Sequence, residues 1–167
     1  DITGMDRFYG CYKWSHELRH HIIKETGLPV SIGLSINKTV SKIATGEAKP
    51  NGEIEVKKEI VLPFLDPLSI SKIPMIGQKT YHVLRSMGIA TIYTLRNIPA
   101  EMLEKLMGKN GIEIWKKANG IDSTPVIIYS EQKSISTEHT FDKDTTDIAR
   151  LNQLLVSMVE KIAYDLR

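Results

Sequence analysis

The sequence predicts an α/β layer, then an all-α region, then the opening of a second, α+β unit. Three observations carry this. Val30, Ile32 and Leu34 alternate with Ser31, Gly33 and Ser35, after which the period lengthens and Val40, Ile43, Ala44 and Ala48 share one helix side. Residues 62–122 are short helical runs punctuated by Gly and Pro, and the prolines argue against strands. Residues 133–167 supply one strand and one long helix, whose apolar stripe needs a sheet that those residues do not provide.

Bulk properties set the limits. Of the 167 residues, 41% are hydrophobic, enough for a packed core. No apolar run approaches the ~18 residues of a membrane span, and no secretory pattern opens the chain. The single cysteine, Cys11, excludes an internal disulfide and fits a reducing, cytoplasmic setting. The chain opens at Asp1 without a methionine and ends inside a helical pattern, so it reads as a piece of something longer. The net charge of +2 is unevenly spread: residues 72–118 carry eight basic against three acidic groups, net +5, whereas residues 119–167 are net −3. A basic middle segment is the footprint of a phosphate-binding module, although solvated helices are often lysine-rich too.

In chain order, Asp1 to Thr3 read as the tail of a strand, and Met5 to Thr26 as a long helix stopped by Gly27. Phe8, Cys11, Leu18 and Ile22 form its imperfect apolar stripe. His16-Glu17-Leu18-Arg19-His20 matches H-E-x-x-H, in which two histidines one turn apart bind Zn²⁺ and the glutamate acts as base. That reading implies a zinc metallopeptidase, with Glu47 as one candidate third ligand. Arg19 would oppose the cation, however, and Ile23 and Thr26 stand where the extended motif has glycine and histidine. The alternative is a polar helix face with His21 half-buried. After the strand at residues 30–35, Ser35 and Asn37 offer capping oxygens. Lys38, Lys42, Thr45 and Lys49 then fall on one helix stripe, within about 60° of one another. Three ammonium groups there repel one another and call for an anionic partner; otherwise they form a solvated face. Pro50, Asn51 and Gly52 stop the helix.

Glu53 to Val61 read as a charged connector with a short extended section, and Ser69 to Ile73 as about one helical turn. Ile73-Pro74-Met75-Ile76-Gly77 precedes a helix from Gln78 to Met87, with Gly88 past its end. This resembles a helix-hairpin-helix, usually P-G-I-G before a basic helix; Met75 departs from the first glycine. Such a hairpin turns backbone N–H groups, and the positive end of the second helix, toward a phosphate. The residues concerned are Ile76, Gly77, Gln78, Lys79 and Thr80, with Val83, Leu84 and Met87 as core. Thr91 caps a helix through Arg96, and Pro99 opens the next, which turns Met102, Leu103, Leu106 and Met107 inward. Gly108, Lys109 and Gly111 belong to a second glycine-flanked loop, either a further phosphate contact or a plain inter-helix connection. Ser123 to Gln132 form a tether. In Lys133 to Phe141, Ile135 and Phe141 face inward and Ser134 and Ser136 outward or toward DNA. Asp144 with Asp147 caps the final helix, whose stripe is Ile148, Leu151, Leu155, Met158, Ile162 and Leu166.

The run S-x-N-K-x-x-(A/S)-K-x-A closed by A-K-P-N-G stands here as Ser35, Asn37, Lys38, Ser41, Lys42, Ala44, Ala48, Lys49 and Pro50. It resembles the end of the palm domain of Y-family DNA polymerases, the translesion enzymes of the bacterial DNA polymerase IV type. The hairpin follows at the family's spacing. The run from Gly108 to Asp122, G-x-x-G-x-x-x-W-x-x-A-x-G-I-D, is similar to the family's thumb, and Lys133 to Phe141 to the first strand of its little finger. The resemblance implies palm at 1–56, thumb at 57–122, linker at 123–132 and the start of a little finger at 133–167. It implies that Lys49 reaches the triphosphate of the incoming dNTP, that Lys38 and Lys42 support it, and that the hairpin, the Gly108 loop and Ser134 and Ser136 meet primer-template DNA. It implies two Mg²⁺ ions in the intact enzyme, held by carboxylates upstream of Asp1. Asp1 itself matches a non-catalytic aspartate, so no catalytic or metal-binding residue is assigned here and the chain alone is expected to be inactive. A sliding clamp is the further partner expected for the intact protein, and self-association through the unfinished little finger is expected for this chain. A stand-alone helix-hairpin-helix module is the rival reading.

Overall fold

The computed structural model describes every residue except Tyr9, Ile128 and Ser130. Two compact units result, Asp1–Val126 and Ile127–Arg167.

In the first unit, helix Cys11–Thr26 (α1) is followed by strand Ile32–Ser35 (β1), helix Lys38–Glu47 (α2) and strand Glu53–Val56 (β2). β1 and β2 pair in parallel, Ile32 opposite Glu53 and Ser35 opposite Val56. α2 is thus the crossover of a β-α-β unit. It lies close on β1, because a Cβ at Gly33 would overlap the backbone of Ser41 and Thr45. Val40, Ile43, Ala44 and Ala48 are buried as the periodicity predicts. Asn37 caps α2 by accepting from the Val40 amide at 3.0 Å. Ser35 does not cap it; its hydroxyl donates to the Val56 carbonyl and fastens β1 to β2.

The helix expected from Met5 begins only at Cys11. Met5–Arg7 is a single 3₁₀ turn, and Gly10 has φ +79°, outside the helical region. Residues 1–3 form no strand. Phe8 and Leu18 are exposed, and the residues α1 buries are Ser15 and Arg19. His21 is exposed, not half-buried.

Five further helices continue the unit: Val61–Leu65 (α3), Gln78–Ser86 (α4), Ile92–Arg96 (α5), Ala100–Met107 (α6) and Lys109–Ala118 (α7). Ser69 caps the 3₁₀ turn Ile70–Lys72, and Thr91 caps α5. Leu65, Ile70, Ile73, Leu84, Ile92, Leu95, Leu103 and Ile114 are fully enclosed and join Val40, Ile43 and Val56 in one continuous core. Arg96 grips both carboxylate oxygens of Asp66, tying α5 to the end of α3. The helical periods are thus right, but their apolar faces are narrower than the sequence suggests. Val83 and Met87 are about half exposed, as are Met102 and Leu106, leaving Leu84 and Leu103 as the anchors of α4 and α6.

In the second unit, helix Ile148–Asp165 (α8) is capped by Asp147, which accepts from the Arg150 amide; Asp144 takes no part. Leu151, Leu154, Met158 and Ile162 are half-buried along one side, while Ile148, Leu155 and Leu166 are exposed. Residues 133–141 form no strand. A strand is held by ladder hydrogen bonds to a neighbour, and none is present among the described residues of this unit.

Candidate nucleic-acid interface

The lysine stripe is shorter than the sequence implies. α2 ends at Glu47, so Lys49 sits in the following turn rather than on the helix face. The Lys38 ammonium donates to the Pro125 carbonyl at 2.8 Å. Lys42 and Lys49 are exposed and make no ion pair among the described residues.

The first turn of α2 is knotted to the end of α7. Asn37 Nδ2 donates to the Gly120 carbonyl at 2.8 Å, and the Thr39 hydroxyl donates to Asp122 Oδ2 at 2.7 Å. Lys117 Nζ lies 3.7 Å from the same carboxylate, whose side chain is only 6% exposed. Burial pushes the Asp122 pKa up, but bonds from Thr124 and Thr39 and the charge of Lys117 outweigh it and hold the group well below the usual carboxylate range. Thr39 and Asp122 were not singled out as a pair by sequence, although the G-I-D run marks one end of it.

At the hairpin, Met75 adopts φ +86°, a conformation a side chain rarely takes, where the usual motif has glycine. Ile76, the next residue, is buried. Gly77 is the N-cap of α4, and its side chain position opens on nothing within 4 Å. Its φ of −81° is one any residue adopts, so packing does not require glycine there. The Ile76 amide donates back to Ile73, whereas the amides of Gly77, Gln78, Lys79 and Thr80 have no acceptor among the described residues. Gly77, Gln78 and Lys79 are exposed. Four free donors thus lie at the positive end of a nine-residue helix, beside one lysine, an arrangement whose field favours an anion.

The second glycine pair is different. α7 begins at Lys109, so Gly108 alone interrupts α6 and α7 and there is no four-residue loop. Gly111 is buried, and a Cβ on it would collide with the Leu103 carbonyl; it is the point where α7 crosses α6. The Gly108 amide donates to Glu104 and the Gly111 amide to Gly108, which leaves Lys109 and Asn110 as the free donors. The plain connection therefore describes Gly111, whereas Lys109 and Asn110 stay exposed with open amides. Ser134 and Ser136 are exposed residues of the second unit.

The H-E-x-x-H segment is engaged with protein. His16 Nδ1 lies 2.7 Å from Glu53 Oε1, which also accepts from the Tyr12 hydroxyl at 3.0 Å. The bond from His16, helped by Tyr12, lowers the Glu53 pKa against the opposing effect of burial, and the same carboxylate raises that of Tyr12. Arg19, 7% exposed, donates to the carbonyls of Val30 and Asn51 and to Asn51 Oδ1. Glu47, the candidate third ligand, pairs with Lys72 at 2.8 Å. Among the described residues no three His, Cys, Asp or Glu side chains converge on a metal-sized site. A cavity of about 870 Å³ borders β1, Asp1–Gly4 and Asp122–Val126, away from both Lys49 and Gly77.

The chain is similar in sequence and in fold to known proteins. The impB/mucB/samB family matches residues 1–46, and the C-terminal domain of the same family matches residues 132–167. A DNA polymerase IV of Dehalococcoides mccartyi is 39% identical over all of this chain and 43% of its own length. A Y-family DNA polymerase chimera superposes with a TM-score of 0.78 at 25% identity, over 98% of this chain and 48% of that one. The insertion ternary complex of Dbh DNA polymerase superposes at 0.60 with 29% identity, over 67% of this chain and 33% of that one. The chain spans less than half the length of the curated relatives it matches.

Proposed function

Because this chain belongs to the impB/mucB/samB family, the Y-family DNA polymerases, we propose that it forms the distal palm, the thumb and the first little-finger segment of a translesion DNA polymerase. The intact protein would transfer a deoxynucleoside monophosphate to a primer 3′ end, opposite a template that includes damaged bases. In this reading residues 1–56 are palm, 57–122 thumb, 123–132 linker and 133–167 little finger.

The observation that carries it is the row of unaccepted amides from Gly77 to Thr80, with exposed Lys79 among them. These groups suit a duplex phosphate, contacted without reading bases. Lys49, a flexible point charge with no counter-ion among the described residues, suits the triphosphate of the incoming dNTP, and Lys42 adds to the field there. Lys38 is given a structural part, since its ammonium already has the Pro125 carbonyl. Lys109 is the second thumb contact proposed, with Ser134 and Ser136 as little-finger contacts. The family resemblance implies two Mg²⁺ ions in the intact protein, and among the described residues no three His, Cys, Asp or Glu side chains converge to hold one. Their ligands are assigned to the part of the relatives' length that this chain does not span. A sliding clamp and a cytoplasmic location complete the reading. The metallopeptidase and the stand-alone DNA-binding module are not favoured, since likeness to DNA polymerase IV runs through the whole chain.

Fluorescence anisotropy with a primer-template duplex tests the thumb contact. Affinity should fall steeply from 50 to 200 mM salt, and Lys79→Ala should reduce the slope of log K against log salt by about 0.9. A binding constant unmoved by salt overturns the reading. In primer extension with Mg²⁺ and dNTPs the pure chain should form no product; extension would refute the assignment of the metal ligands.

A further inference from the structure

We propose that Arg19, the residue between the two histidines of the H-E-x-x-H run, is a positioning residue that holds the turn Ala48–Gly52 so that Lys49 is presented bare to a nucleotide triphosphate. This rests on the reading of Lys49 given above.

A buried guanidinium must find acceptors, and all those Arg19 finds lie at the two ends of one structural seam. Nε reaches the Val30 carbonyl at 2.8 Å, just before β1. Nη2 takes both the carbonyl and Oδ1 of Asn51, and Nη1 lies 4.0 Å from Glu53 at the start of β2. Asn51 has φ +50°, a conformation asparagine tolerates better than most residues, so the side chain and backbone that Arg19 grips belong to the sharpest point of the turn. The rest of the turn is equally fixed. Ala48 is buried, and Gly52 fits against the Ala48 carbonyl where a Cβ would overlap it. Lys49, Pro50 and Asn51 are left exposed, and of these Asn51 is the one Arg19 holds.

The acids that flank Lys49 are drawn away by the same arrangement. Glu47 is paired with Lys72 at 2.8 Å. Glu53 is held by His16 at 2.7 Å and Tyr12 at 3.0 Å, with Arg19 behind it. Lys49 has a glutamate two residues before it and another four residues after, yet neither carboxylate neutralises it. A lysine so placed is free to meet a polyphosphate without first breaking an internal ion pair.

The test is titration of Mg-dATP into the ¹⁵N-labelled chain, followed by NMR at the Lys49 amide, with duplex affinity measured in parallel. Lys49→Ala should abolish saturable shifts. Arg19→Lys keeps the charge but loses the forked geometry, and should weaken Mg-dATP about fivefold; Asn51→Gly keeps the turn conformation but loses Oδ1, and should weaken it about threefold. The double variant should be no weaker than Arg19→Lys alone, because both act on one contact. Duplex affinity should stay at the parent value in both single variants, which a general loss of fold would not allow. A folded Arg19→Lys chain with parental Mg-dATP affinity overturns the proposal. Should Arg19→Lys fail to fold, parental affinity in Asn51→Gly overturns it equally. If Lys49→Ala binds Mg-dATP like the parent, the reading of Lys49 fails, and this inference with it.

Discussion

Gly77 and Gly111 put the same residue type to opposite uses. Gly111 is fixed by packing: the Leu103 carbonyl occupies the space a side chain would need, so α7 could not cross α6 there with any larger residue. Gly77 has an ordinary φ and empty space around it, so nothing inside the protein demands a glycine. On the proposed reading, a phosphate brought up to the α4 amides does. Gly111→Ala should therefore destabilise the chain by about 1–3 kcal/mol in denaturant unfolding, through overpacking. Gly77→Ala should alter stability by less than about 1 kcal/mol, yet weaken duplex binding about tenfold, the equivalent of one charge-assisted bond. Sequence patterning offered both glycines as phosphate contacts, with a plain inter-helix connection as the alternative for Gly111. It had no means of separating them, because the Leu103 carbonyl that decides the case is eight residues away on another helix. Met75 shows the converse: its departure from the motif was legible, and the structure shows the left-handed backbone that glycine would have relieved.

The elements read best from sequence were those whose burial follows a single period. α2 kept its four apolar positions and its Asn37 cap, because one continuous helix side faces β1 and the core shared with α3–α7. α1 did not follow its apparent stripe. Its inward face is occupied by Ser15 and Arg19, since what it packs against is a backbone seam rich in carbonyls rather than an apolar surface. No hydrophobicity pattern records that. The predicted strand at 133–141 failed for a related reason, since pairing is a property of two segments and only one was present to read. The joint between α2 and α7 allows a direct test. Asp122 contributes stability in its charged form, because its folded pKa lies below the ordinary value near 3.9. That contribution is complete above about pH 4 and is lost as pH falls toward the depressed folded value. Asp122→Asn should cost about 1–3 kcal/mol at pH 7, as a buried bond with a charged partner is weakened. The gap in Tm between parent and variant should narrow on acidification below about pH 4. A gap that widens there would show that the carboxylate is not stabilising in the folded state.

For the molecule as a whole, the two units differ in how completely they cover themselves. Asp1–Val126 encloses a continuous core, whereas no residue of α8 is fully buried. An 18-residue helix with Leu155, Val156 and Val159 more than half exposed invites a second copy. Light scattering should show concentration-dependent association, and Leu155→Lys with Val159→Lys should return the chain to a monomer. A monomeric parent with strongly protected amides through α8 would contradict this. The fastening of Asn37 to Gly120 has another consequence, for the order of events in folding. It closes a loop of 83 residues, whereas α5, α6 and α7 pack on near neighbours. Long closures are slow and come late. A ribosome making this chain must therefore emit every helix from α3 to α7 before the lysine-bearing helix can be locked at its root by Gly120.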